Sequence, residues 1–115
     1  CHPQAHAVWA PSSHARAWKT LLDSRDAKDP ECVRCHVVGF AEVGGFDAAV
    51  PTPVDVQCEA CHGPGGKHVE DAMVVRMPLS KPTEQACLRC HDLENSPQFQ
   101  WKTYWPKIAH GPEKR

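Results

Sequence analysis

The sequence predicts a mostly α fold with much irregular loop, in which short helices wrap around material other than their own side chains. Three observations lead there. The apolar runs are short and broken, with 41% hydrophobic and 7% aromatic residues, 11 prolines and 7 glycines in 115 residues. Helix-start signals stand directly before cysteine pairs. Six of the seven cysteines fall into three copies of one pattern: Cys32-Val33-Arg34-Cys35-His36, Cys58-Glu59-Ala60-Cys61-His62 and Cys87-Leu88-Arg89-Cys90-His91. Cys-x-x-Cys-His is the attachment signature of c-type haem. The two thiols add to the two vinyl groups of the porphyrin, and the His is held under the iron. One helical turn sets both sulfurs along one porphyrin edge and the next residue under the metal. Large porphyrins then supply the apolar mass that the chain lacks.

The seventh cysteine belongs to the same scheme. The chain opens Cys1-His2, the last two residues of a fourth motif, so the sequence is expected to start inside it. The competing reading is a free or lipid-modified N-terminal Cys beside an incidental His. The scheme gives about four haem c groups. Their attachment residues are Cys1, Cys32, Cys35, Cys58, Cys61, Cys87 and Cys90. Their proximal ligands are His2, His36, His62 and His91. A structural zinc site uses four ligands, and an adjacent His after every Cys pair is not its pattern. A disulfide scaffold has an even cysteine count and varied spacing. A thioredoxin-like pair needs a βαβ setting, which is absent.

Residues 1–115 read as one domain. The net charge of −1 argues against a nucleic-acid partner, which would call for a basic face. No apolar run approaches the ~20 residues of a membrane span. Membrane contact is therefore expected only through a missing anchor or a partner. Haem is attached to this motif outside the cytoplasm, so the expected location is the periplasm or the cell exterior. A signal sequence would have been removed or omitted.

The elements follow in order. Pro3 disfavours helix at His2 and so ends the first haem-binding turn. Ser12 and Ser13 offer a cap for a helix over residues 13–25, with His14, Trp18, Leu21, Leu22 and Arg25 on one broad face. His14 lies on its first turn and points inward. Asp29-Pro30-Glu31 starts the helix entering the motif at 32–36, and Gly39 closes it. Residues 37–57, with Gly44-Gly45, Pro51 and Pro53, read as a loop or weak hairpin. Asp55 or Val56 precedes the central motif, and Gly63-Pro64-Gly65-Gly66 stops it. A short helix is expected over 69–77, ended by Pro78. Pro82-Thr83-Glu84 starts the helix of the last motif. Ser96-Pro97 starts another through Trp101, and Pro106 breaks it. The motif histidines are spaced by 34, 26 and 29 residues, which is too irregular for a solenoid.

Four of the eight histidines are proximal ligands, leaving His6, His14, His68 and His110. A distal His must reach the opposite porphyrin face. His6 is too close to His2, and His68 too close to His62, to turn around the ring that each follows. His14, His68 and His110 are expected to ligate haems attached elsewhere in the chain, with the haem of His91 as one option for His110. Such crossed ligation staples distant segments. Met73 and Met77 are read as packing. Trp9, Trp18, Trp101, Tyr104 and Trp105 are expected on porphyrin faces and edges.

These residues resemble the tetrahaem cytochrome c family typified by the electron acceptor of hydroxylamine oxidoreductase. The matching stretches are Cys1-His2-Pro3 with Trp9 and Ser13-His14-Ala15, then Cys35-His36 with Gly39, then residues 57–65 with His68, and finally residues 87–91. The resemblance implies a multihaem cytochrome c fold, mostly α-helical, around closely stacked haems. It also implies His14, His68 and His110 as the distal set, with the haem of His36 as the candidate open site. This chain departs from the family in its truncated start and in carrying His6. Similar domains occur in larger multihaem enzymes and as subunits of extracellular cytochrome filaments.

The function expected first is therefore electron transfer, with no catalytic residues. The partners would be redox proteins, other multihaem cytochromes or copies of the chain itself. A nitrogen-oxide reductase domain with one open haem and a filament subunit are the alternatives. No obvious acid–base constellation stands beside a haem motif, which favours the carrier.

Overall fold

A computed structural model describes residues 1–111. Helices α1 (Pro3–Trp9), α2 (Ala17–Ser24), α3 (Pro30–Val33), α4 (Cys58–His62), α5 (Gly66–Glu70), α6 (Glu84–Leu88) and α7 (Trp101–Tyr104) follow in order. A 3-10 turn, Ser13–Arg16, leads into α2, and another, Trp105–Lys107, follows α7. Among the described residues the only β pairing is two isolated bridges, Val37 with Val54 and Asp47 with Thr52. The fold is thus mostly helix and loop, as the sequence predicts, and residues 37–57 form the weak hairpin.

Local signals explain most helix starts. The Asp29 carboxylate accepts from the Glu31 amide at 2.9 Å, with Pro30 at the first helical position of α3. Thr83 precedes α6 in an extended conformation, without a side-chain cap bond, and Glu84 places an acid in the first turn. Residues 13–25 are helical as expected, and Arg25 closes them in a left-handed conformation at φ 68°. Four boundaries differ from the sequence reading. Pro3 opens α1 rather than ending a turn, because proline suits the first helical position and His2 stays outside the helix before it. The helix into 32–36 ends at Val33, short of Gly39. The helix expected over 69–77 lies earlier, at 66–70. The last helix starts at Trp101, and Pro106 sits inside the first turn of the 3-10 segment instead of breaking a helix.

The polypeptide core is small. Its buried apolar members are Ala17, Leu21, Val33, Val37 and Val38. Trp18 and Phe46 pack against them with ring centroids 5.5 Å apart, so Trp18 belongs to the core between α2 and the loop after α3. The chain presents 8625 Å² to solvent. A compact protein of this mass would present about 6200 Å². Side chains of the chain alone do not close the fold.

The hairpin loop holds itself by backbone contact. Gly39 takes φ 66°, and the Phe46 amide bonds the Val38 carbonyl at 2.9 Å. A Cβ on Gly45 would stand 1.9 Å from the Gly39 carbonyl oxygen. Gly45→Ala is therefore expected to cost about 1–3 kcal/mol by forcing that backbone apart. A denaturant midpoint equal to that of the parent chain would show that the loop yields freely.

Candidate haem-binding site

The motif cysteines converge. Cys35 Sγ lies 3.9 Å from the carbonyl of Arg89, inside the last motif. The Arg89 guanidinium donates to the carbonyl of Ala60, inside the central motif. Residues of three motifs thus meet at Arg89. They line a cavity of about 700 Å³ that holds Cys32, Cys35, Cys61, Cys87 and Cys90, within the size range of cofactor sites. The hydroxyl of Ser12 lines the same cavity, is buried, and has no hydrogen-bond partner among the described residues. A polar substituent of a bound group can meet it there.

No cysteine forms a disulfide. Burial raises the Cys61 and Cys87 thiols, and burial followed by the adjacent Cys35 pushes Cys90 up to about 12. Such thiols are poor redox nucleophiles. Among the described residues no three of His, Cys, Asp and Glu gather as a four-ligand zinc site requires. What the cysteines do have is a helical turn spanning or preceding each complete pair and, for five of them, a shared hollow.

The histidines are arranged in pairs. His2 and His68 stack with ring centroids 6.0 Å apart and planes 20° apart. His14 faces His91 at 6.1 Å, and His62 faces His110 at 5.7 Å. In each pair one ring comes from a Cys-His motif and the other from a distant part of the chain. The sequence reading had left His91 open as the partner of His110; the structure sets His110 against His62 and gives His91 to His14. His36 has no imidazole partner among the described residues, and His6 tilts against Trp9 at 5.6 Å.

Four of the rings are held from behind. Backbone carbonyls face Nδ1 of His36 (Ala17, 2.5 Å), His62 (Leu79, 2.7 Å) and His68 (Val75, 2.5 Å), and the Ser96 hydroxyl faces Nδ1 of His91 at 3.0 Å. An Nδ1–H donated this way fixes the tautomer and leaves Nε2 as a bare lone pair, the usual device behind a metal-bound histidine. Burial, and then the neighbouring His91, hold His14 below the ordinary histidine range; burial does the same to His91 against the opposing pull of Asp92. Both rings are therefore neutral near pH 7, the form that ligates.

Long-range backbone bonds place these rings. The His62 carbonyl accepts from the Leu79 amide at 3.0 Å, so His62 and Leu79 clamp each other in both directions. Gly63 turns away at φ 81° with Pro78 against it. Near His14, the Val56 amide donates to the His14 carbonyl at 3.0 Å, Asp55 accepts from the Trp18 amide at 2.8 Å, and the Trp9 indole donates to the Val56 carbonyl at 2.7 Å. Sequence reading missed Ala17, Leu79 and Val75, because a backbone carbonyl that meets a distant ring leaves no mark in the sequence, and it missed Arg89, whose partners lie in the other two motifs. Ser96, five residues after His91, was the one that spacing could have suggested.

Comparison with known proteins agrees with this chemistry. Residues 1–63 match the family described as cytochrome c554 and c-prime. The chain belongs to that family. Residues 52–96 match the doubled CXXCH motif. The chain is 31% identical over an alignment of 137 residues to cytochrome c-554 of Nitrosomonas europaea, covering 89% of this chain and 57% of that protein. It thus spans little more than half the length of that relative. No solved structure matches it. As a member of the cytochrome c554 family with repeated Cys-x-x-Cys-His motifs, the chain is a multihaem c-type cytochrome with covalently bound haem c. Among the described residues no helix is long and apolar enough to cross a membrane.

Proposed function

We propose that residues 1–115 form one unit carrying electrons through about four haems, three of them held between two histidines. The attachment residues are Cys1, Cys32, Cys35, Cys58, Cys61, Cys87 and Cys90. The proximal ligands are His2, His36, His62 and His91, and the distal ligands are His68 for His2, His14 for His91 and His110 for His62.

The observation that carries this is the spacing of the three imidazole pairs, 5.7–6.1 Å between centroids. Two imidazoles bonded to one metal through bonds of about 2 Å have centroids about 6 Å apart. When bound, the haem iron supplies a one-electron couple. The chain's own residues do the rest. The paired rings would hold the iron from two sides and leave no place there for a substrate. The carbonyls behind Nδ1 of His36, His62 and His68 keep those rings oriented and raise their basicity. Three motifs meeting at Arg89 keep the attachment sites within one short span, which suits transfer between them. The partners proposed are redox proteins in the periplasm or outside the cell, met through small transient interfaces.

Intact mass and carbon monoxide titration test the proposal together. The expected result is four haem additions and at most one equivalent of carbon monoxide bound by the reduced protein, at the haem of His36. Binding of two or more equivalents, or rapid turnover of nitrite or hydroxylamine, would move a reductase to first place.

A further inference from the structure

Glu59 stands inside the Cys58–His62 motif, at a position where the attachment chemistry makes no demand on the side chain. Its Oε1 accepts from the Gly65 amide at 2.6 Å, in a partly buried bond. Gly65 is the residue that opens α5, which has no other side-chain cap. Helix α5 carries His68, whose ring stacks 6.0 Å from His2. A helix of five residues cannot hold itself in water. Its placement depends on anchors outside it. At the imidazole the anchor is the Val75 carbonyl at 2.5 Å. At the start of the helix it is Glu59. The fit there is close: a Cβ on Gly65 would lie 3.0 Å from Glu59 Oε1 and 3.1 Å from Met77 Sδ.

We infer that Glu59 is a positioning residue for a haem other than the one its own motif attaches: it holds α5 so that His68 stands opposite His2. The inference rests on the reading of His2 and His68 as two ligands of one iron. It makes the central motif a support for the axial bond of the first site.

The test uses the haem-loaded protein and four variants: Glu59→Ala, Glu59→Gln, Gly65→Ala and His68→Ala. Carbon monoxide is titrated into each reduced protein, and spin state is followed by absorption and electron paramagnetic resonance. His68→Ala should open one haem outright. Glu59→Ala should keep every haem but let carbon monoxide displace His68 at about tenfold lower concentration, the scale of one lost hydrogen bond to a charged group. Gly65→Ala, which crowds the same carboxylate, should move in the same direction and serves if Glu59→Ala fails to fold. Glu59→Gln keeps an acceptor oxygen and should restore most of the parent behaviour. The remaining haems should be unaffected, whereas a merely structural role would loosen the His62 haem first. If Glu59→Ala and Gly65→Ala titrate like the parent while His68→Ala opens a haem, the inference is overturned and the ligation stands. If His68→Ala changes nothing, the ligation reading itself fails.

Discussion

Replacing Cys58 and Cys61 together by alanine is expected to remove one haem and most of the folding stability. The buried apolar core is Ala17, Leu21, Val33, Val37 and Val38, all between α2 and the start of the hairpin loop. Nothing comparable lies under α4, α5, α6 or α7. Those segments are tied instead by a few hydrogen bonds, such as the Arg89 guanidinium to the Ala60 carbonyl and the two between His62 and Leu79. A porphyrin that buries a few hundred Å² of apolar surface contributes on the order of 5–10 kcal/mol, which rivals the whole stability of a domain. The double variant should therefore lack one haem by intact mass and lose its cooperative thermal transition at ambient temperature. A sharp transition at the parent temperature would mean that the polypeptide core suffices.

His14→Ala and His110→Ala should each convert one low-spin haem to high-spin and add one carbon monoxide site. The identity of the converted haem carries the information. His14 faces His91, so its loss should open the haem at 87–91; His110 faces His62, so its loss should open the haem of Cys58–His62. Removing an imidazole also removes a donor that favours ferric iron, so the potential of the opened haem should rise. His6→Ala serves as the silent control, since His6 meets Trp9 and no other imidazole. Unchanged spectra in both ligand variants would leave these histidines as ordinary packed residues.

The chemistry of this chain was easier to read than its geometry. The Cys-x-x-Cys-His copies specify the cofactor because thioether attachment dictates the residue types and their spacing. The helix over 13–25 was legible because caps and apolar spacing agree there. Helix α1 was missed and α5 and α7 were misplaced, since each is a turn or two long and is fixed by its surroundings rather than by propensity. Pro3 and Pro106 were read as breakers, although proline also opens helices. The partner of His110 stayed open because no local rule says which distant ring a histidine will face. Glu59 and Arg89 looked like filler between cysteines; what they do depends on Gly65 and Ala60 across the fold.

The pairing of early histidines with late ones has a consequence for the topology of the chain. His2 meets His68, His14 meets His91 and His62 meets His110. The three spans interleave, each one ending inside the next, and residues 62–68 lie within all of them. That stretch, from the last residue of α4 to the His68 turn of α5, is a node common to the three closures. A change in its backbone is transmitted to every pair at once, whereas a change near Gly39 or Leu93 falls within fewer of them.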